Sequence, residues 1–232
     1  MISKPVKKQT ILTSVANLLA SVILALVLVS NAFAETNVEA IDKSEAVKQV
    51  VEQSVQNLLL KYNKELPYFE TDPDRFLREM DIALTEIVDF RRIAARVMGK
   101  YARKASKEQK NRFVNIFKKS LYSTYTTTLV ETGVEKINVT KAKINTRSDK
   151  KASVDLSVIS DNGTVFPVVY SMYKTKDGKW LLENVIVFGV NVGLAFRDRF
   201  EQQYRKQKGN IDAVIDGWKL DLNIKQADGK NV

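Results

Sequence analysis

Apolar positions recur along the first half of the chain at the three- and four-residue spacing of amphipathic helices. From Val38 to about Leu66, the residues Val47, Val50, Val51, Val55, Leu58 and Leu59 form one stripe, as a buried helix face requires. Asp72-Pro73 reads as an N-cap followed by proline at the first helical position. The helix it opens carries Phe76, Leu77, Met80 and Leu84. A third helix places Ile87, Phe90, Ile93, Val97 and Tyr101 on one side. Ser106, with Gln109 three residues later, is a capping box for a fourth helix, whose stripe is Phe113, Ile116, Phe117, Leu121 and Tyr125.

The period then changes to that of strands. Residues 136–146, 151–160, 164–174 and 179–190 read as four strands, joined by Arg147-Ser148-Asp149-Lys150, Asp161-Asn162-Gly163 and Asp177-Gly178. Asn-Gly and Asp-Gly tolerate the positive φ of tight hairpins, so the four strands form an antiparallel meander. In the second strand Val154, Leu156 and Val158 alternate with Ser153, Asp155 and Ser157, which leaves one face wet and one covered. Helix returns from about Val192 to Lys208, stops at Gly209, and resumes briefly from Asn210 through Trp218. The expected fold is α+β: a four-stranded antiparallel meander covered by helices from both the N- and C-terminal segments.

The start of the chain has a different character. Lys4, Lys7 and Lys8 precede an apolar run from Val15 to Val29, and Ala32-Phe33-Ala34 supplies the small-x-small pattern of a signal-peptidase site. Residues 1–34 are expected to be a cleaved export signal, leaving a single domain over 35–220 and a polar tail over 221–232. The run is short for a span, which needs about 20 apolar residues. Removing three of the 37 basic residues and none of the 27 acidic ones leaves a surplus of seven, so the signal alone does not explain the basic balance.

The chain has no cysteine and no histidine. Disulfides, thiolate metal sites, Ser-His-Asp and Cys-His catalysis and His-rich zinc centres are therefore excluded. Carboxylate or lysine chemistry remains open to an esterase or glycosidase, but no spacing of acids points to it, and no enzyme or metal site is expected.

Two features stand out. The third strand is apolar on both faces, with Val165, Val169 and Tyr173 on one and Phe166, Val168, Tyr170 and Met172 on the other, and the fourth is similar. This excess fits either a solid core or an apolar cavity between sheet and helices, which periodicity does not separate. Residues 91–119 hold eleven Lys or Arg against the single acid Glu108, and Arg92, Arg96, Lys100 and Arg103 share one helical face. That face is either solvated or a docking surface for anionic headgroups or acidic partners. The export signal argues against nucleic acid. Asn138-Val139-Thr140 and Asn162-Gly163-Thr164 match a glycosylation sequon, which matters only in a eukaryotic secretory pathway.

The stretch Ile87-Val-Asp-Phe-Arg-Arg-Ile-Ala-Ala-Arg-Val-Met-Gly-Lys-Tyr101 resembles a segment of the MlaC family, the toluene-tolerance family of periplasmic phospholipid carriers. The likeness continues at Ala105 to Gln109, Arg112-Phe113, Phe117 and Thr124-Tyr125. It resumes at Trp180, at Gly189-Val190-Asn191, at Phe196 to Phe200 and at Gly209, and covers most of residues 66–218. Asn184 and Phe188 depart from acidic residues common in the family. The resemblance implies a helix-and-sheet clamp that buries both acyl chains of a glycerophospholipid and leaves the headgroup in water. It implies a lipid-binding wall of Phe90, Ile93, Val97, Tyr101, Phe113, Phe117, Leu121 and Tyr125 from the helices. Val154, Leu156, Val158, Val168, Tyr170, Met172, Val185 and Val187 come from the strands. It implies no cofactor, lipid as cargo, and two partners: an outer-membrane lipoprotein complex and an inner-membrane ABC transporter with an MCE-domain ring. A carrier is needed because two chains hold roughly 30 methylenes at about 0.8 kcal/mol each, or about 24 kcal/mol of exposure. An exported scaffold with a solid core, docking through the basic face, is the alternative.

The exported protein is expected to begin at Glu35, a point checked by N-terminal sequencing of the secreted form. Retention of Met1 or of the apolar run would refute it.

Overall fold

A computed structural model describes residues 43–218, so the expected export signal, the start of the first expected helix and the expected polar tail lie outside the described residues. The elements below belong to the compact unit that begins at Ser44. Helix α1 spans residues 43–65 and continues through a 3-10 turn at Leu66–Tyr68. It is followed by α2 (Pro73–Ile87), α3 (Phe90–Met98), a second 3-10 turn (Gly99–Arg103) and α4 (Lys107–Thr132). The strands are β1 (Lys136–Asn145), β2 (Ser148–Ile159), β3 (Val165–Lys174), β4 (Trp180–Val187) and β5 (Val190–Asn191), and α5 (Val192–Lys206) and α6 (Ile211–Asp216) close the described chain.

The caps expected from the sequence form. Asp72 accepts from the Arg75 amide at 3.0 Å, with Pro73 opening α2. Ser106 and Gln109 make both halves of the capping box, at 3.1 and 2.9 Å. The expected third helix is divided differently. Ile87 ends α2, Val88 bridges to Leu182 of β4, and Asp89 caps α3 by accepting from the Arg92 amide at 2.8 Å. Tyr101 lies in the 3-10 turn that follows Gly99.

The sheet is an antiparallel meander in the order β1-β2-β3-β4-β5, with five strands rather than the expected four. The run read as one fourth strand folds back at Phe188-Gly189, where both residues take positive φ, 49° and 77°. Two such residues in succession form the two-residue hairpin turn that matches strand twist. A bulky residue in this region is uncommon, which is why the alternation hides the turn. The first hairpin is also tighter than expected, since β2 begins at Ser148 and only Thr146-Arg147 separate it from β1.

Packing divides into three apolar clusters. The first joins α3, α4, α5 and α6 around Phe113, Phe117, Phe200 and Trp218, with Phe113 edge-on to Trp218 at 5.1 Å and to Phe200 at 5.2 Å. Edge-to-face pairs of this kind contribute about 0.5–1.5 kcal/mol each beyond burial. The second lays Val47, Val51 and Val55 of α1 on Val154, Leu156, Val168 and Met172 of the sheet, and the Ser44 hydroxyl accepts from the Ile144 amide at 3.3 Å. The third, Tyr62, Phe76 and Met80, joins α1 to α2.

One buried acid fastens α3 to the sheet. Glu183 of β4 is 6% exposed and is held by Arg92, Arg96 and Lys151. Arg92 also lies over the Tyr173 ring at 3.9 Å, and Tyr173 donates to Asp89. Burial opposes ionisation of Glu183, but hydrogen bonds from Lys151 and Arg92 and the charge of Arg96 win and lower its pKa from the ordinary 4.5.

A lowered folded pKa means that the unfolded chain binds more protons, so the stabilisation is present above 4.5 and lost as pH falls through the folded value. Glu183→Gln is expected to flatten the loss of stability on acidification, measured by denaturant melts across pH. At neutral pH it should cost about 2–3 kcal/mol, less than a fully buried pair, because its cations are 34–51% exposed.

Candidate functional site

Helix α4 is 26 residues long, and its two halves face different surroundings. Phe113 and Phe117 in the first half are sealed by α5, α6 and Trp218. Leu121, Tyr125 and Leu129 in the second half face a cavity of about 450 Å³. Across it stand Leu58, Leu59 and Tyr62 of α1 and Phe76, Leu77, Met80 and Leu84 of α2. Its floor is the covered face of the sheet at Ile137, Val158, Tyr170, Leu182 and Val185, and its inner end is Phe90, Ile93, Val192 and Phe196.

Among the described residues, no charged side chain lines this space. Its polar groups are Thr126, Asn184 and phenols, and these are largely committed or desolvated. Tyr122 donates to Asp81 at 2.7 Å, and burial together with that bond pushes its phenol up. Burial alone raises Tyr170. Asn184 accepts from the Gly193 amide at 3.0 Å and donates to Asn191 at 3.1 Å, while Asn191 accepts from Leu194 at 2.9 Å. The two asparagines thus cap α5 in series, and the amide donor explains why asparagine serves here where an ionised acid has none. A Cβ on Gly193 would meet the Asn184 oxygen at 2.3 Å, so this cap also needs the glycine. The wall that the described residues form is apolar and offers solvation to apolar matter.

Of the residues singled out from the sequence, Phe90, Ile93, Phe117, Leu121, Tyr125, Val158, Tyr170 and Val185 line the cavity. The structure places Val97, Tyr101 and Phe113 in the helical cluster and Val154, Leu156, Val168, Met172 and Val187 against α1 in the sheet cluster. Sequence reasoning misses the wall from α1 and α2, although Leu58, Phe76, Leu77, Met80 and Leu84 are all legible as buried stripes. What the pattern lacks is which stripe faces which. Of the basic face, Arg92 and Arg96 are held by Glu183 and Lys100 by Glu201 at 3.0 Å. Arg103 makes no ion pair among the described residues.

Among the described residues, no group of His, Cys, Asp or Glu is placed to hold a metal ion, and no helix is long and apolar enough to cross a membrane.

Added bulk should separate the hollow from the packed region. Val185→Trp is expected to fold and to lose binding of an apolar fluorescent probe. Val168→Trp, in the packed cluster, is expected to lose about 1–3 kcal/mol of stability through overpacking. Probe titration and thermal melts of both variants check this.

Residues 46–220 match the family described as MlaC protein. The toluene tolerance protein ttg2D of Pseudomonas putida is 38% identical over 172 residues, covering 73% of this chain and 78% of that protein. Among solved structures, a phospholipid-binding protein from Ralstonia solanacearum, in complex with a phospholipid, superposes with a TM-score of 0.65 at 18% identity. The superposition covers 73% of this chain and 92% of that one, and at this identity the likeness is one of fold. By family match and by identity across most of its length, the chain belongs to the MlaC family.

Proposed function

We propose that this protein is a periplasmic carrier of phospholipid, not an enzyme, and that it holds acyl chains in the cavity while the headgroup stays in water. The observation that carries this reading is the charge-free space of about 450 Å³ between α1, α2, α4 and the sheet. Membership of the family and the lipid-bound relative of the same fold support it. The wider role follows the family: lipid passes between an outer-membrane lipoprotein complex and an inner-membrane ABC transporter with an MCE-domain ring, which maintains the lipid asymmetry of the outer membrane. Residues 1–34 act as the export signal, and the domain over 35–220 is the part that works in the periplasm.

Size refines the reading. A cavity of about 150 Å³ admits benzene, so about 25 Å³ serves each carbon. The cavity of about 450 Å³ therefore takes about 18 carbons, close to one acyl chain rather than two. A diacyl cargo loads by parting the wall, and the α1–α2 pair is the wall that moves. Docking falls to the basic face of Arg92, Arg96, Lys100 and Arg103, where the first three are held by Glu183 and Glu201 yet stay partly exposed and Arg103 makes no ion pair among the described residues.

Organic extraction of protein purified from the periplasm, followed by mass spectrometry, is expected to release glycerophospholipid in near-stoichiometric amount. Protein that is folded and empty would favour the solid-core scaffold instead.

A further inference from the structure

Four tyrosines line the cavity, at 62, 122, 125 and 170. Tyr122 is committed to Asp81, whereas Tyr62 stands differently. Tyr62 is 6% exposed, and its hydroxyl is shielded from solvent with no hydrogen-bond partner. Folded proteins leave few buried polar groups in this state, because the lost solvation is not recovered. A phenol orphaned in the wall of a binding cavity points to a partner that arrives with the ligand.

Its position says which part of the ligand. Tyr62 packs edge-on to Phe76 at 6.3 Å, in the cluster against which Val130 rests. The neighbouring Leu129 lines the cavity and is 49% exposed, so the apolar wall meets solvent in this region. A glycerophospholipid lying tail-in and head-out crosses such a boundary at its ester carbonyls, which accept hydrogen bonds and donate none. A second anion is ill suited to the place: the Asp161 carboxylate lies against Gly133, four residues beyond Leu129, where an added Cβ would meet it at 2.0 Å. Burial and that charge also raise the Tyr62 phenol, which keeps its proton for donation.

We propose that Tyr62 donates a hydrogen bond to an acyl ester carbonyl of the cargo, and that the protein thereby prefers ester-linked to ether-linked lipid. The proposal rests on the carrier reading above and assigns a specificity residue within it.

The test compares delipidated exported wild-type protein with Tyr62→Phe. Each is titrated in a competition assay with diacyl phosphatidylcholine and with its dialkyl ether analogue of equal chain length. Wild type is expected to bind the ester lipid about 2- to 10-fold more tightly, the worth of one neutral hydrogen bond. Tyr62→Phe should bind the two lipids equally, and its lipid-free form should melt no lower than wild type. A Tyr62→Phe protein that keeps the ester preference overturns the assignment. So does an equal loss for both lipids, which would place the hydroxyl on the headgroup. If wild type binds neither lipid and extraction finds it empty, the carrier reading falls, and the assignment with it.

Discussion

Helix α4 carries an apolar face longer than the helices available to cover it. Its first half meets α5, α6 and Trp218 and is packed to near-zero exposure at Phe113 and Phe117. Beyond Tyr125 no further helix of the described C-terminal segment covers it, so the face must be answered from elsewhere. The α1–α2 pair answers it across a cavity, touching α4 at the margins, where Tyr122 donates to Asp81 and Val130 packs on the cluster of Tyr62, Phe76 and Met80. Packed interiors hold few voids larger than a water molecule, so a space of about 450 Å³ under an unbroken apolar face is a property the chain maintains.

The hollow persists because its surroundings are fixed by other means. Glu183 binds α3 to β2 and β4 through three cations, and the Asn184–Asn191 pair anchors the start of α5 beside it. Glu183 is the extra residue of a bulge in β4, where the register against β3 shifts between Ser171 and Met172, and it locks the sheet to the helices electrostatically, while Asn184 supplies a cap at the inner end of the cavity. A charge cluster is a costly way to stabilise a junction, since burial of Glu183 works against its ionisation. What it supplies is directionality. Apolar contact alone would let α3 slide over the sheet and fill the space.

Much of this is legible in the sequence and some is not, for reasons that differ by element. Caps at Asp72 and Ser106 are local chemistry, decided within three residues, and they form as read. The meander follows from alternation and turn residues, yet the Phe188-Gly189 turn stays hidden because only tertiary packing, here the edge-on Phe166 ring at 5.7 Å, holds a phenylalanine in that conformation. For the site, periodicity shows which positions face inward. Whether an inward residue meets a neighbour or a void depends on how far apart two elements stand. Leu156 lies with the α1 valines in the sheet cluster, while Val158, two residues on along the same face, lines the hollow. Nothing in the alternation distinguishes them. The partner of the basic face is equally hidden from the sequence: Arg92 and Arg96 share a helical face, but only the fold brings Glu183 of β4 beneath them.

The same distances decide which wall can yield. On the α3–α5 side, cavity residues such as Phe117 and Phe196 belong to the helical cluster and meet edge-on at 5.5 Å, so displacing them would undo the core. The sheet is held by its ladder. The outer half of α1 and the facing half of α2 meet α4 at Val130, which rests on the small cluster of Tyr62, Phe76 and Met80, and at Asp81, which accepts from Tyr122 at 2.7 Å and pairs with Lys118. Internally, however, they are well tied. Glu65, 2% exposed, receives Arg75 at 3.0 Å, Lys61 reaches Glu79, and Arg75 lies over Tyr68 at 3.4 Å. A pair tied within itself and joined to α4 at these few points is the part of the wall best placed to yield as a unit, since elements with few buried contacts open at the lowest free energy. Under the proposed function, loading a second acyl chain through this wall would exchange apolar side-chain contacts for contacts with lipid of the same kind, and the links of Asp81 to α4 set the cost of the opening.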